Sequence, residues 1–511
     1  MNHVKPHAEA VAIKGEKIVA VGSNEAMTPL IGKSTKIVSL SGKTVIPGFI
    51  DTHAHVSDFG KLAQIDLKGS ESIEEMKAII RKDLKQASKG KWVLGMGWDQ
   101  SILREKRYPT RVDLDEVSPN NPIVLYHKSD CICLLNSKAL KMAEISKRTE
   151  APSGGVIDKD PITGEPTGIL RDNATNLVWT KIPEANDDDL VETTQLALSR
   201  FVEVGITSLH WMVTSPAEIR VIERIRKEDK LPIRLYLIVH SGIMKDVQDT
   251  IFDKSFESKM VKLGGFQVFV DGSLAARTAA LFQAYSDDPS TNGKMLSSQE
   301  EFNALATKIR KTNRQLVIPA MGDRGVDAAL KIIAESSSLT IEKNSRPRIE
   351  HASLLNKELI RRIKKLNVVL SVQPPSIISE FSVWSAIDRL GPERARWLFP
   401  LKTLLKEGVW VGGGSDCPME PINPLFGIQV TMTRENIVEE RIGADQALRI
   451  YTLNAACLAS EENDKGSIEP GKLADLVILS HDPTAVPPHE IESIKVDMTI
   501  VGGKIIWSKM I

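Results

Sequence analysis

Two histidines, His53 and His55, stand two residues apart in the segment IDTHAH, directly after an apolar stretch. If that stretch is a β-strand, its period of two turns both imidazoles to the same face. Two neutral imidazoles on one face can share a divalent metal ion. The pattern alone also occurs in surface histidines and in hydrogen-bonded core histidines, so it needs support from elsewhere in the chain.

That support comes from Asp416, in the segment GGGSDCP, which follows another short apolar run. If this run is the last strand of a closed barrel, it lies beside the first, and Asp416 comes close to His53 and His55. Two histidines and a carboxylate leave one coordination position open for water, which is the arrangement expected of a catalytic zinc site.

The strands that must position these residues can be counted along the chain. Eight short runs rich in β-branched residues alternate with amphipathic stretches of helical spacing, which predicts parallel strands joined by helices. We expect a (β/α)8 TIM barrel with its active site at the carboxyl ends of the strands. An open, doubly wound sheet is the alternative. The predicted strands span residues 44–55, 206–212, 233–240, 266–272, 315–323, 346–353, 368–374 and 409–416.

The two ends of the chain carry a different pattern. Residues 1–46 and 467–511 alternate apolar and polar residues around glycine turns, which predicts a small β-sandwich domain built from both ends. The barrel is then expected within residues 47–466. About 150 residues separate its first two strands, too many for a simple loop, so we predict an α/β insertion over 57–200 that forms a substrate lid.

Several motifs occur together and in one order. They include PGFIDTHAH, RIEHA at 348–352, GSDCP at 414–418 and the closing GSIEPGKLADLVIL, with GMGWDQ, LLNSKAL, GEPTGILRD and FVDGSLAARTAAL between them. The chain thereby resembles the amidohydrolase superfamily, and within it the YtcJ-like amidohydrolase 3 branch, which includes N-substituted formamide deformylases. Members of that branch usually carry one more strand before AEAVAIKGEKIVAVG, so either the sandwich lacks a strand or the sequence begins late.

The resemblance implies a mechanism. A metal-activated water hydrolyses a non-peptide C–N bond of a small molecule, such as an amide, an N-formyl compound or a cyclic amide. Asp416 binds the metal, acts as general base and passes the proton to the leaving amine. His351 is either a ligand for a second metal or a donor to the substrate carbonyl.

Three positions depart from the family pattern. Gln267 stands where a lysine is usually carboxylated to bridge two metals, and Pro319 stands where a histidine is usual. Cys131 replaces another common histidine, either as a metal ligand or as a small buried residue. We therefore predict one divalent metal, zinc before manganese, iron or cobalt, held by His53, His55 and Asp416, with a weak contact from Gln267. His351 is then free to polarise the substrate carbonyl.

Other candidates each have two interpretations. Asp271 and Asp323 follow strand ends, where they either touch substrate or cap loops. Arg277 either binds a substrate carboxylate or forms a salt bridge in the lid. Trp98 either lines the substrate pocket or packs in a core.

Composition limits the remaining function classes. Lys plus Arg and Asp plus Glu are equal at 66 each, which argues against nucleic acid or an anionic membrane as partner. No stretch reaches the ~20 apolar residues of a membrane span, and the four cysteines are too sparse for a disulfide framework. We expect a soluble cytoplasmic enzyme with a small-molecule substrate, and a homodimer is compatible with the family.

Two competing functions stay open at this point. A lactone or ester hydrolase would use the same site, because only the leaving group differs. A non-catalytic relative that binds a ligand without turning it over would account for the changes at Gln267 and Pro319, but His53, His55 and Asp416 are all retained.

Overall fold

The computed structural model describes residues 7–62, 65–84, 89–100, 102–127, 132–152, 155–183, 186–336, 346–383 and 385–509. Packing divides the chain into two compact units. The first, the barrel unit, comprises residues 1–55, 198–416 and 421–511, and the second, the insertion unit, comprises 56–197 and 417–420.

Eight parallel strands form the central sheet of the barrel unit, in the order β17-β16-β15-β14-β13-β12-β11-β4. Its two edges meet at the mouth, where the Asp416 N–H donates to the His53 carbonyl at 2.7 Å. This near-closed sheet confirms the predicted barrel. Its strands are β4 (Phe49–Ala54), β11 (Ile206–Val213), β12 (Arg234–His240), β13 (Val261–Gln267), β14 (Gln315–Ala320), β15 (Arg348–His351), β16 (Val369–Val372) and β17 (Val411–Gly413).

Both ends of the chain contribute short antiparallel strands to the same unit. A four-stranded sheet has the order β20-β19-β18-β3, and a hairpin pairs β1 with β2. The Ile18 N–H donates to the Lys472 carbonyl at 2.9 Å, which attaches the hairpin to the C-terminal segment. These strands are β1 (Ala10–Lys14), β2 (Lys17–Gly22), β3 (Thr44–Pro47), β18 (Leu476–Leu479), β19 (Val496–Val501) and β20 (Lys504–Ser508).

The insertion unit has a mixed six-stranded sheet of its own, in the order β5-β6-β7-β8-β10-β9. Two apolar clusters, one on Leu135 and Leu170 and the other on Trp98 and Leu125, form its core. Its strands are β5 (Ile65–Asp66), β6 (Val93–Trp98), β7 (Ile123–His127), β8 (Ile132–Leu135), β9 (Gly155–Lys159) and β10 (Pro166–Asp172).

Helices connect these strands, and local sequence defines where they begin. For example, Ser215 and Glu218 form a capping box at the start of α8, with Pro216 at its first position. The helices are α1 (Asn24–Met27), α2 (Val56–Leu62), α3 (Ile73–Leu84), α4 (Arg111–Asp115), α5 (Ser137–Met142), α6 (Asn176–Trp179), α7 (Asp187–Glu203), α8 (Pro216–Lys227), α9 (Met244–Ile251), α10 (Gln299–Arg310), α11 (Asp323–Ser336), α12 (Lys357–Lys365), α13 (Ser376–Ile378), α14 (Ala386–Leu390), α15 (Pro392–Ala395), α16 (Leu401–Lys406), α17 (Pro424–Thr433), α18 (Ala444–Ile450) and α19 (Leu453–Leu458).

None of the helices in the described ranges is both long enough and apolar enough to cross a lipid bilayer.

Most predicted barrel strands differ from the structure by one to three residues at their ends, and two were wrong by more than that. Residues 44–55 form two strands, because the chain leaves the small sheet at Pro47 and the Gly48 N–H bonds to the Asp475 carbonyl at 2.8 Å. The fourth strand is Val261–Gln267 rather than 266–272. Two glycines lie at the centre of this strand. Because glycine has a low β-propensity, the sequence pattern did not indicate a strand there.

One of those glycines is required by packing inside the barrel. A Cβ built on Gly264 would lie 2.0 Å from the ring of Tyr236, far inside van der Waals contact. The Tyr236 hydroxyl is held in turn by the side-chain oxygen of Gln315 at 3.1 Å. The aromatic ring therefore occupies the space that a side chain at position 264 would need.

We expect Gly264→Ala to lower the free energy of unfolding by about 1–3 kcal/mol, the usual cost of overpacking a core. Gly32→Ala is the matched control, because the nearest atom to a Cβ there is 3.8 Å away, in ordinary contact. Urea denaturation of both variants measures the difference. Equal stability of the two variants would contradict the assigned packing of Tyr236.

Candidate active site at the mouth of the barrel

Three side chains that can bind a metal come together at the mouth of the barrel. Ligand atoms of His53, His351 and Asp416 all lie within 4.8 Å of one another. His55 adjoins this group, since its Nε2 lies 3.4 Å from Oδ1 of Asp416. The predicted ligands therefore converge, but His351, which was expected to be free for the substrate, belongs to the tightest cluster.

His53 is buried between two carboxylates. Its Nδ1 lies 2.8 Å from Oε2 of Glu350, and its Nε2 lies 3.3 Å from Oδ1 of Asp416. Burial disfavours the charged imidazole, but the two carboxylates outweigh it and raise the pKa of His53 to about 10. A position that favours a proton this strongly carries a negative field, which also favours a metal cation.

The carboxylates around His53 remain ionised at neutral pH. Burial alone would raise the pKa of Asp416, but His53 and His55 beside it hold that pKa well below its usual range. For Glu350, Arg348 and His53 likewise outweigh burial and lower the pKa to about 2. The site thus offers two negative charges for cationic partners.

His351 differs from His53 in its charge. Burial, with His53 close by, lowers its pKa to about 4, although Asp416 and Glu350 act in the opposite direction. The ring is therefore neutral at pH 7, as a metal ligand must be, and its one protonated nitrogen can still donate a hydrogen bond to a substrate. The side chain of Gln373, buried beyond the end of β16, contacts it.

The backbone at the mouth adopts an unusual conformation at both predicted catalytic residues. His351 has φ 65° and Asp416 has φ 60°, in the left-handed region that side chains other than glycine rarely adopt. Such strain persists only where surrounding contacts impose it, and it concentrates at functional sites.

Asp51 links the first and last strands beneath the cluster. Its carboxylate accepts hydrogen bonds from the His53 N–H at 3.0 Å and from the N–H and hydroxyl of Ser415 at 3.0 and 2.6 Å. A Cβ on Gly414 would lie 2.6 Å from the His53 nitrogen, so only glycine allows the two strands to approach this closely. The close approach of the two strands thus explains the glycine at position 414 of GGGSD.

Gln267 and Pro319 occupy neighbouring strands at the same end of the barrel. Gln267 is fully buried at the end of β13, and neither atom of its amide has a hydrogen-bond partner among the described residues. A buried amide without a partner is costly, so this side chain fits a site that holds a further polar group. Pro319 pairs in register with Glu350 and offers no ligand atom.

The remaining candidates have structural roles. Asp271 is buried and accepts backbone N–H groups of Ala280, Met321 and Gly322, and burial raises its pKa to about 6. Asp323, at the start of α11, accepts the N–H of Phe282. Both are loop-capping aspartates, the second of the two interpretations offered for them.

Arg277 and Trp98 also make structural contacts, although the salt bridge of Arg277 lies in the barrel unit and not in the predicted lid. The guanidinium of Arg277 forms two hydrogen bonds with the carboxylate of Asp287, at 3.2 and 2.7 Å. Trp98 is fully buried in the core of the insertion unit, and its indole N–H donates to the Leu125 carbonyl at 2.9 Å. Cys131 lies outside the described residues.

Three buried charged groups around His53 were not predicted from the sequence: Glu350, Arg348 and Asp51. The motif RIEHA contained the signal, because residues 348 and 350 alternate along a strand and face the same side. His351 was the more conspicuous residue, and the left-handed turn at its backbone brings it to the same site as Glu350.

Comparisons with known proteins agree with this geometry. The model of the amidohydrolase family matches residues 36–507. The chain is 32% identical to the protein YtcJ of Bacillus subtilis, over 98% of this chain and 96% of that one. It is 30% identical to the N-substituted formamide deformylase of Arthrobacter pascens, over 97% and 94% of the two chains.

A solved structure extends the similarity to three dimensions. An uncharacterized metal-dependent hydrolase from Pyrococcus horikoshii superposes with a TM-score of 0.73 at 29% identity, covering 94% of this chain and 95% of that one. The family match spans most of the chain, and the ligand cluster lies within it. The chain belongs to the amidohydrolase family and is a hydrolase acting on carbon–nitrogen bonds.

Proposed function

We propose that this protein hydrolyses a non-peptide C–N bond of a small molecule, in an amide, an N-formyl compound or a cyclic amide, with one divalent metal ion at the barrel mouth. The observation that carries the proposal is the convergence of His53, His351 and Asp416, with His55 at its edge. The relative from Arthrobacter pascens, named for N-substituted formamides, supports this substrate class.

The donor set fits a divalent ion of the zinc type. Imidazole nitrogens and a carboxylate suit zinc, and they also accept manganese, iron or cobalt. His53 would bind through Nε2, since Nδ1 faces Glu350, and Asp416 would bind through its carboxylate. When bound, such an ion lowers the pKa of a water molecule and attracts the oxygen of a carbonyl group.

One ion is more consistent with these residues than two. A second ion normally needs anionic or imidazole donors of its own, and Gln267 and Pro319 supply neither. Among the described residues, His53, His351 and Asp416 are the one group of three or more histidine, cysteine or carboxylate side chains placed to share an ion. We therefore propose a mononuclear centre, with the amide of Gln267 beside it.

The residues of the site can also carry the proton. Asp416 is ionised at neutral pH and has an oxygen within 3.4 Å of both His53 and His55. It is placed to accept the proton that an attacking water must lose, and to return it to the departing amine. His351, neutral at the same pH, can donate a hydrogen bond to the substrate carbonyl.

We also propose a cytoplasmic location, a small-molecule substrate as the only partner in catalysis, and a homodimer. Among the described residues, Cys133 and Cys457 are free and buried, which is compatible with a reducing compartment. The balanced charge of the chain gives no attraction to nucleic acid or to anionic lipid.

Asp416→Asn tests the proposed chemistry. An asparagine cannot accept the proton, so we expect kcat on the best substrate of an amide, N-formyl and lactam panel to fall by about 10²–10⁴-fold. Asp445→Asn, the same change at an exposed residue of α18, is the matched control and should keep full activity. Activity of Asp416→Asn within tenfold of the unchanged enzyme would contradict the proposal. If the unchanged enzyme hydrolyses lactones or esters faster than the matching amides, the leaving group is an alcohol and not an amine.

The raised pKa of His53 predicts how the metal-free protein responds to pH. Because its pKa rises to about 10 on folding, from about 6.5 in an unfolded chain, protonated His53 stabilises the fold fully below about pH 6.5. That contribution is lost as the pH rises to 10. We expect the free energy of unfolding of metal-free protein to fall between pH 7 and pH 10.

Chelator-treated protein, unfolded in urea at several pH values, gives the measurement, with His53→Ala as the comparison. The variant lacks the titrating ring and should show a flatter dependence over the same range. Parallel curves for the two proteins would show that His53 does not hold the extra proton.

A further inference from the structure

A buried ion pair lies directly behind His53. The two oxygens of Glu350 face different partners, with Oε2 at 2.8 Å from Nδ1 of His53 and Oε1 at 2.5 Å from Nε of Arg348. The side chains of Glu350 and Arg348 are both 0% exposed. Oε1 thus faces the positive charge of Arg348, and Oε2 faces the imidazole ring of His53.

Arg348 connects this pair to two other strands. Its Nη2 donates to the carbonyl of Thr52 on β4 at 2.5 Å, and its Nη1 lies 2.8 Å from Nδ1 of His210 on β11. Since a guanidinium only donates, Nδ1 of His210 accepts, and that ring is neutral. Burial, with Arg348 alongside, holds the pKa of His210 well below its usual value, in agreement with this assignment.

The result is a continuous contact path inside the barrel, from His210 through Arg348 and Glu350 to His53. Each group is buried, and rotation of Glu350 or Arg348 would separate the opposite charges of their ion pair, which is costly in a low-dielectric interior. The orientation of the His53 ring is therefore set from behind, on the side away from Asp416.

We infer that Glu350, backed by Arg348, is a positioning residue that fixes the ring and the tautomer of His53, with Nδ1 donating to Glu350 and Nε2 directed at the metal position. This inference rests on the proposed function, because it concerns the ion that His53 would hold. It assigns a role to two residues that touch neither substrate nor metal. Partners of this kind typically change metal affinity by about 10–100-fold.

The orientation of the His53 ring should affect metal binding more strongly here than at a site with more ligands. With Gln267 and Pro319 at two positions of the mouth, few anionic or imidazole ligands remain to compensate for a misaligned His53. A wrongly turned ring would present Nδ1 or carbon to the ion and remove one strong ligand. Metal affinity, rather than folding, is the quantity that Glu350 should control.

Glu350→Gln tests this inference, measured as the Kd of metal-free protein for Co²⁺ and as the visible spectrum of the cobalt-loaded protein. Glutamine keeps the shape of the side chain but removes the charge that holds the tautomer. We expect Kd to rise by about 10–100-fold and the cobalt bands to shift. Glu350→Asp, which keeps the charge on a shorter side chain, should restore part of the affinity.

Asp475→Asn is the matched control. Asp475 forms a nearly buried ion pair with Arg234 in the same unit, with oxygen–nitrogen distances of 2.8 and 3.2 Å, and its hydrogen bonds go to none of the site residues. Its loss should lower stability while leaving the Co²⁺ Kd and spectrum unchanged. A general effect of breaking a buried pair would instead alter both variants alike.

A second variant covers the case in which Glu350→Gln leaves Arg348 unpaired and fails to fold. Arg348→Gln with Glu350→Gln removes both charges together and should again bind Co²⁺ about 10–100-fold more weakly. The inference is overturned if the folded variant, single or double, binds Co²⁺ as tightly as Asp475→Asn does and with an unshifted spectrum. Failure of the unchanged protein to bind any divalent ion would instead overturn the proposed function.

Discussion

The position of His53 between the buried carboxylate of Glu350 and the partly exposed carboxylate of Asp416 is the constraint on which the rest of the site depends. Glu350 holds one nitrogen of the ring, and the other nitrogen faces Asp416. Two ionised carboxylates on either side of one ring repel one another, and removing them from water costs free energy, unless cationic groups lie between them. Arg348 supplies one positive charge behind Glu350, and the mouth of the barrel is suited to a second, as a proton or a metal ion.

The architecture of the barrel provides the geometry for this arrangement. Parallel strands end together, so polar residues that lie hundreds of positions apart in sequence meet at one face. The first and last strands are drawn together by Asp51 and Ser415, and the bond from the Asp416 N–H to the His53 carbonyl joins their ends. Left-handed backbone at His351 and Asp416 then turns both side chains into the site. The strain is local, and the buried contacts around it hold it in place.

The fold and the ligand residues were largely predictable from sequence, and the supporting residues were not. His53, His55 and Asp416 carry strong local signals, because each follows an apolar strand and has a side chain suited to metal. Val261–Gln267 was misplaced because its glycines, required by the Tyr236 ring, weaken the strand pattern. Residues 348 and 350 of RIEHA share one face of a strand, but the role of Glu350 depends on its contact with His53 on another strand, which the motif does not show. Likewise, the grouping of His351 with His53 and Asp416 accompanies a backbone conformation that the sequence does not reveal.

The metal content of gently purified protein, measured by elemental mass spectrometry, tests the central claim most directly. A single centre at the barrel mouth, with His53 and Asp416 among its ligands, predicts about one equivalent of a divalent ion per chain, lost in His53→Ala. Two equivalents would contradict the account, because a second ion would require ligands that Gln267 and Pro319 do not supply. Absence of any bound ion, with no uptake from added zinc, would contradict it as well and would favour a relative that binds its ligand without turnover.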